Sequence, residues 1–158
     1  MTKPTPAERF FAKVDKSGDC WEWTAAKDRD GYGQFKLDGR MRAAHRVSWE
    51  MEHGPIPEGL EIDHRCHNHG CVNPGADHLR VATSKQNNEN QSGAYRNNQH
   101  GVRGVSWHKR AQKWSVRASH DGQVIYAGLF IDKADAESAA IAIRNGVFTH
   151  NDADRNLS

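Results

Sequence analysis

The residues best equipped for chemistry lie in one stretch, Asp63-His64-Arg65-Cys66-His67-Asn68-His69-Gly70-Cys71, followed by Asn73-Pro74, His78 and Asn87. Cys66, Cys71 and His78 are soft thiolate and imidazole donors, with four residues between the cysteines and six before the histidine. That spacing suits a structural tetrahedral zinc. His64, His67 and His69 are alternative imidazole ligands, but His78 completes the spacing better. Asp63 and Asn87 offer hard oxygens of the kind magnesium prefers. His64 stands beside them as a candidate general base, because its ordinary pKa lets a neutral imidazole accept a proton near pH 7. A base next to an oxygen-ligated cation is the equipment needed to cleave a phosphodiester. Water must become a nucleophile, and positive charge must offset that of the phosphorane and the departing 3′ oxygen.

Short elements must hold these groups. Pro6 to Asp15 reads as a helix, with Phe10, Phe11 and Val14 on one side. Cys20 to Thr24 and Tyr32 to Leu37 read as a hairpin, with a further turn at Asp38-Gly39. Arg42 to Glu52 is expected to be helical and to end at Gly54-Pro55. Leu60 to His64 is a strand that delivers the site, and Leu79 to Ala82 leads into a helix capped by Thr83 that carries Asn87.

The order Asp63-His64, Asn73-Pro-x-x-x-His78-Leu79, Thr83-x-x-x-Asn87 resembles the HNH endonucleases of the ββα-metal type. The Cys66/Cys71/His78 frame is similar to the zinc-bearing His-Cys-box homing endonucleases within that group. Upstream, Cys20-Trp21-Glu22-Trp23, Gly31-Tyr32-Gly33 and Ala44-His45-Arg46 match a pattern common in phage-borne members. The resemblance implies a structural zinc with Cys20 as fourth ligand, although by sequence alone Cys20 could equally be a buried free thiol. It also implies a catalytic Mg²⁺ or Mn²⁺ on Asp63 and Asn87 and His64 as base; Arg46 in the Ala-His-Arg segment is a candidate DNA contact near the scissile phosphate, with a structural role for His45 and Arg46 the equal alternative. The loop departs from the pattern in having three residues between Pro74 and His78 where the His-Cys-box members have one. Their second zinc cluster has no counterpart here.

Residues 90–100 are polar and lack apolar periodicity, as in a linker. Three strands are expected beyond them, at Gly101–Trp107, Lys113–Ser119 and Gln123–Phe130, then a helix from Lys133 to Arg144 capped by Asp132 and ended by Asn145-Gly146. Between Arg96 and Arg117 lie six basic residues and no acid, with Trp107 and Trp114 among them, the footprint of a nucleic-acid contact. Gly101-Val-Arg-Gly-Val-Ser-Trp107, Lys113-Trp114 and Tyr126-Ala-Gly-Leu-Phe130, with the alanine-rich helix, resemble the ethylene-response-factor (APETALA-type) DNA-binding domain. That resemblance implies a sheet laid in the major groove, with Arg103, His108, Arg110, Lys113, Arg117 and Tyr126 facing it.

The fold expected is therefore α+β. A zinc-stapled ββα-metal nuclease domain occupies residues 1–90, a polar linker 91–100, and a three-stranded antiparallel sheet with one helix 101–158. With 36% hydrophobic residues, two small units fit better than one large core. Three cysteines, two at metal-ligand spacing, point to a reducing host-cell cytoplasm rather than to disulfides, and no run is long and apolar enough for a membrane. The partner expected is double-stranded DNA, with the chain a monomer or homodimer. The rival expectation is a zinc-stabilised DNA-binding regulator without nuclease activity, against which the trio Asp63, His64 and Asn87 argues.

Overall fold

The computed structural model describes residues 3–94 and 96–155; Met1, Thr2, Tyr95 and Asn156 to Ser158, which the expected domain and linker spans include, lie outside it. The chain divides into two compact units, one ending at Asn87 and the other starting at Asn88. The division falls before the expected end at 90, and the stretch read as a linker belongs with the second unit. The reason is local. Glu89 and Asn90 are buried. The Glu89 carboxylate accepts from the Thr149 amide, and the Asn90 side chain accepts from the Asp152 amide.

In the first unit, helix α1 (Pro6–Phe11) opens with a reciprocal capping box between Thr5 and Glu8. Its expected continuation to Asp15 is replaced by strand β1 (Val14–Asp15), which pairs antiparallel with β2 (Glu22–Trp23). Strand β3 (Gln34–Leu37) therefore pairs not with β2 but with β4 (Arg40–Ala43). Asp38 and Gly39, both at positive φ, make the tight turn whose twist suits a two-residue hairpin. Helix α2 (Ala44–His53) starts two residues later than expected, because Arg42 is held in the β3–β4 ladder.

Phe10, Trp23, Phe35, Ala44, Val47 and Val72 form the core of this unit. The Phe10 ring lies 5.1 Å from both the Trp23 and Phe35 rings, and each such aromatic pair adds about 0.5–1.5 kcal/mol beyond its buried area. Gly33 exists for this packing. A Cβ there would lie 2.6 Å from two atoms of the Trp23 indole and 3.0 Å from Ala44 Cβ. Gly33→Ala should destabilise the first unit by about 1–3 kcal/mol, the usual cost of overpacking. Chemical denaturation followed by tryptophan fluorescence measures it, and an unchanged midpoint would contradict the packing described.

Strand β5 (Glu61–His64) pairs antiparallel with β6 (Leu79–Ala82), and the ligand-rich loop runs between them. Thr83 then caps α3 (Ser84–Glu89): its hydroxyl accepts from the Gln86 amide, and the Gln86 side chain accepts from the Thr83 amide. Strand, ligand-rich loop, strand and helix thus follow one another in chain order.

In the second unit, β7 (Val105–His108), β8 (Lys113–His120) and β9 (Gln123–Phe130) form one antiparallel sheet in the order β7-β8-β9. The β8–β9 turn has Asp121 and Gly122 at positive φ. Helix α4 (Lys133–Val147) is capped by Asp132 and buries Ala136 and Ala140 against Val102, Val105 and Val116. It runs past the expected stop at Asn145-Gly146. Gly146 does not take the left-handed conformation that a glycine cap needs, and buried Phe148 closes the helix through its amide on the Arg144 carbonyl. A short helix, α5 (Asp152–Arg155), follows, and its Asp154 takes buried Arg144 in a two-pronged ion pair at 2.6 and 3.0 Å.

Candidate active site and metal centre

The loop between β5 and β6 gathers Cys66, Cys71 and His78, and Cys20 joins them from the β1–β2 connection. Their four ligand atoms all lie within 4.8 Å of one another. His78 Nδ1 is 3.6 Å from Cys20 Sγ and 3.7 Å from Cys71 Sγ. A tetrahedron built from ordinary Zn–S and Zn–N bonds has edges of about 3.6 Å, so the donor set fits zinc in both chemistry and size. Among the described residues this is the one cluster of three or more His, Cys, Asp and Glu groups close enough to share an ion. Of the histidines considered, His78 is the one brought to the sulfurs.

The surrounding loop is built to hold that shape. The Asn73 amide N–H points at Cys71 Sγ, its side-chain oxygen accepts from the Gly75 amide, and its Nδ2 donates to the Asp19 carbonyl beside Cys20. The Cys66 thiol is drawn below its ordinary range by a hydrogen bond from Cys71, with further help from the Asn68 backbone and His78, which favours the thiolate form that a metal binds.

His64, at the end of β5, is only 6% exposed. Its Nε2 lies 3.0 Å from the Cys71 carbonyl. A carbonyl can only accept, so Nε2 carries the proton and the lone pair of the neutral ring sits on Nδ1. Burial pushes this imidazole below its ordinary range, outweighing the Cys71 carbonyl, which favours the charged form. The ring is packed among others: His45 at 4.7 Å, Tyr32 at 5.7 Å and His69 at 6.1 Å between centroids. His69 stacks on Tyr32 and donates from Nδ1 to the Asp30 carbonyl.

Asp63 precedes His64 on the same strand, so the two side chains leave β5 on opposite faces. The Asp63 carboxylate is buried and paired with Arg80, its cross-strand partner, at 2.8 and 2.9 Å. On the same face, Glu61 accepts from Ser84 Oγ at 2.6 Å and from Asn87 Nδ2 at 2.7 Å. These bonds hold the Glu61 carboxyl below its usual range, Ser84 contributing most, with a smaller contribution from the charge of Arg46. They also orient the Asn87 amide, so that Oδ1 is its remaining acceptor. Neither Glu61 nor Arg80 stood out in the sequence, although a carboxylate two residues before Asp63 on a strand necessarily shares its face.

Known proteins bear on this arrangement. A family model described as HNH endonuclease matches residues 42–89. Protein 3.8 of Escherichia phage T7 is 35% identical over 95 residues, which cover 60% of this chain and 74% of that protein. The chain belongs to this phage HNH endonuclease family. Protein 7.7 of the same phage is 38% identical over 71 residues, 45% of this chain and 53% of the relative, so the chain spans about half the length of that protein. The uncharacterized gene 5.3 protein of Enterobacteria phage T3 is 36% identical over 73 residues, covering 38% of this chain and 71% of the relative. No solved structure matches.

The HNH match contains Arg46, Asp63, His64, Cys66, Cys71, His78 and Asn87, whereas Cys20 and Tyr32 lie upstream of it. The second unit lies almost wholly beyond it, and there the basic residues part company. His108, Arg110 and Arg117 are exposed and Lys113 is half-buried. Arg103 is different. Its guanidinium donates to the carbonyls of Asn88, Glu89 and Gln91 and sits 5.1 Å from the Phe148 ring centroid. On β8 and β9, Arg117 is paired with Tyr126 and Ser119 with Val124; Tyr126 and Val124 are 59% and 63% exposed. Among the described residues no helix is long and apolar enough to cross a membrane.

Proposed function

We propose that this chain is a metal-dependent DNA endonuclease. His64 acts as general base, and one Mg²⁺ or Mn²⁺ is held by Asp63 and Asn87. The observation that carries this reading is the fixing of His64, a buried imidazole pinned through Nε2 to the carbonyl of a cysteine in the zinc cluster. A histidine serving only as core packing would not need its tautomer set in this way. Held so, Nδ1 takes the proton of an attacking water, and burial keeps the ring neutral for that task. Glu61 holds Asn87 through its amide nitrogen, which leaves Oδ1 as the acceptor, and Asp63 adds a carboxylate whose charge Arg80 partly offsets. Asp63 and Asn87 would hold the cation, whose chemistry there would be electrostatic stabilisation of the phosphorane and the leaving oxygen. Arg46, near Glu61, is assigned to the DNA backbone at the scissile phosphate. Incubating the full chain with supercoiled plasmid tests the reading. Nicked or linear product should appear with Mg²⁺ or Mn²⁺ and not when the ion is omitted; plasmid left intact with either ion would overturn it.

The second unit, in this reading, is an APETALA-type targeting module for double-stranded DNA. Support comes from the three-stranded sheet, whose face away from α4 carries Lys113, Arg117 and Tyr126, with His108 and Arg110 at the β7–β8 end. Arg103 is left out of the contact set, because three backbone carbonyls occupy its guanidinium. Arg117→Ala should weaken DNA binding without altering zinc content. If Arg117 meets a phosphate, the salt dependence of log K should fall by about one unit; if it meets a base, specificity at one position should relax by about 1–3 kcal/mol. Unchanged affinity at all salt concentrations would remove this face from the interface.

A further inference from the structure

We propose that His45 is a second imidazole of the active site, a neutral hydrogen-bond donor that takes a phosphate oxygen of the DNA beside His64. The inference rests on the nuclease reading and deepens it. His45 is 8% exposed, and its Nδ1 is sealed from solvent with no hydrogen-bond partner among the described residues. None is found for Nε2 either. What surrounds the ring is aromatic: His64 at 4.7 Å and Tyr32 at 5.4 Å between centroids. A buried ring nitrogen with nothing to bond is costly and is seldom kept for packing alone.

A neutral ring must carry one N–H. Placing it on sealed Nδ1 would bury an unmatched donor, so the favoured tautomer puts it on Nε2, the nitrogen that is not sealed. Burial, reinforced by the charges of His64, Arg46 and His69, lowers the pKa of this imidazole to about 3, so it stays neutral and cannot compete with His64 for a proton. A separate observation points to phosphate as the ligand. His45 lies in the first turn of α2, a helix that begins at Ala43 with no side-chain cap and has no acidic residue in that turn. The Ala44 amide is taken by the Gly33 carbonyl, and the end of the helix dipole beside His45 still favours an anion. Tyr32, packed on both imidazoles, fixes the angle between them.

Two measurements on the full chain test this. In the first, imidazole ¹⁵N spectra of the wild-type protein are recorded without added Mg²⁺, before and after addition of a duplex oligonucleotide. His45 should appear as the Nε2–H tautomer and its Nε2 resonance should move when DNA binds. An Nδ1–H tautomer, or an Nε2 signal unmoved by saturating DNA, would overturn the proposal. In the second, His45→Phe keeps a ring in place and removes the donor. Its melting temperature should rise, since an unmatched buried polar group is gone, while plasmid cleavage should fall about 10²-fold, the usual effect of losing one transition-state donor. His45→Gln, which restores a donor, should recover part of the rate. A His45→Phe protein that cuts as fast as wild type would reduce His45 to a packing residue. A wild-type chain that cuts no plasmid would instead sink the nuclease reading, and the spectra would still decide whether His45 meets phosphate.

Discussion

Replacing His64 by Ala should lower cleavage by at least ~10²-fold, the scale on which general-base catalysis operates, while zinc content and DNA affinity stay near wild type. The division of labour in the loop explains the selectivity. The cluster atoms come from Cys20, Cys66, Cys71 and His78, and the His64 ring meets that set at the Cys71 backbone carbonyl, not as one of the four ligand atoms. Removing the imidazole takes away the proton acceptor but none of the zinc ligands. It does leave the Cys71 carbonyl unmatched, at about 1–3 kcal/mol, which the melting temperature should register. Zinc quantitation, a binding isotherm and a single-turnover rate on the same preparation separate the possibilities. Loss of zinc with unfolding would make His64 a ligand and overturn its assignment as base.

Removal of zinc should be still more damaging. The main core cluster of the first unit has six buried side chains, and its β1–β2 and β3–β4 sheets have only two strands each, an architecture of marginal stability on its own. Structural zinc sites contribute about 10–16 kcal/mol of apparent binding free energy at neutral pH, so this staple outweighs any single packing contact in the unit. Cys71→Ser, or a strong chelator, should release about one zinc per chain, following the four-ligand rule, and melt the first unit. Cleavage should vanish with it, because the carbonyl that sets the His64 tautomer belongs to a zinc ligand. The sheet and α4 of the second unit should persist in circular dichroism. A zinc-free chain that keeps the first unit folded, with three reactive thiols, would contradict this account.

How far the sequence could be read follows from the range of each signal. The Cys/His cluster was legible because three of its donors fall within thirteen residues and thiols at that spacing have few other uses. The Asp38-Gly39 turn was legible, yet the strand after it was not: Arg40-Met41-Arg42 has no apolar alternation, and only pairing with β3 makes it a strand. Val14-Asp15 was absorbed into the preceding helix for the same reason, its strand character coming from Glu22-Trp23. Asn145-Gly146 looked like a helix stop, but burial of Phe148 carried the helix further.

At the proposed site, the sequence singled out His64, Asp63 and Asn87 as candidates but not what holds them. Glu61 orients Asn87, Arg80 pairs with Asp63, and Tyr32 and His45 arrive beside His64 from separate segments, which no local spacing foretells. Arg103 shows the opposite error. A basic stripe counts charges without showing where each guanidinium goes, and this one is occupied by its own backbone.

If this site makes a water molecule attack a DNA phosphorus, single-turnover cleavage of a duplex in ¹⁸O-enriched water with Mg²⁺ should place one ¹⁸O in each new 5′-phosphate and leave the 3′-hydroxyl unlabelled, and this product should be lost in His64→Ala. Cleavage that leaves the 5′-phosphate unlabelled, or no cleavage at all, would rule out water attack at this site.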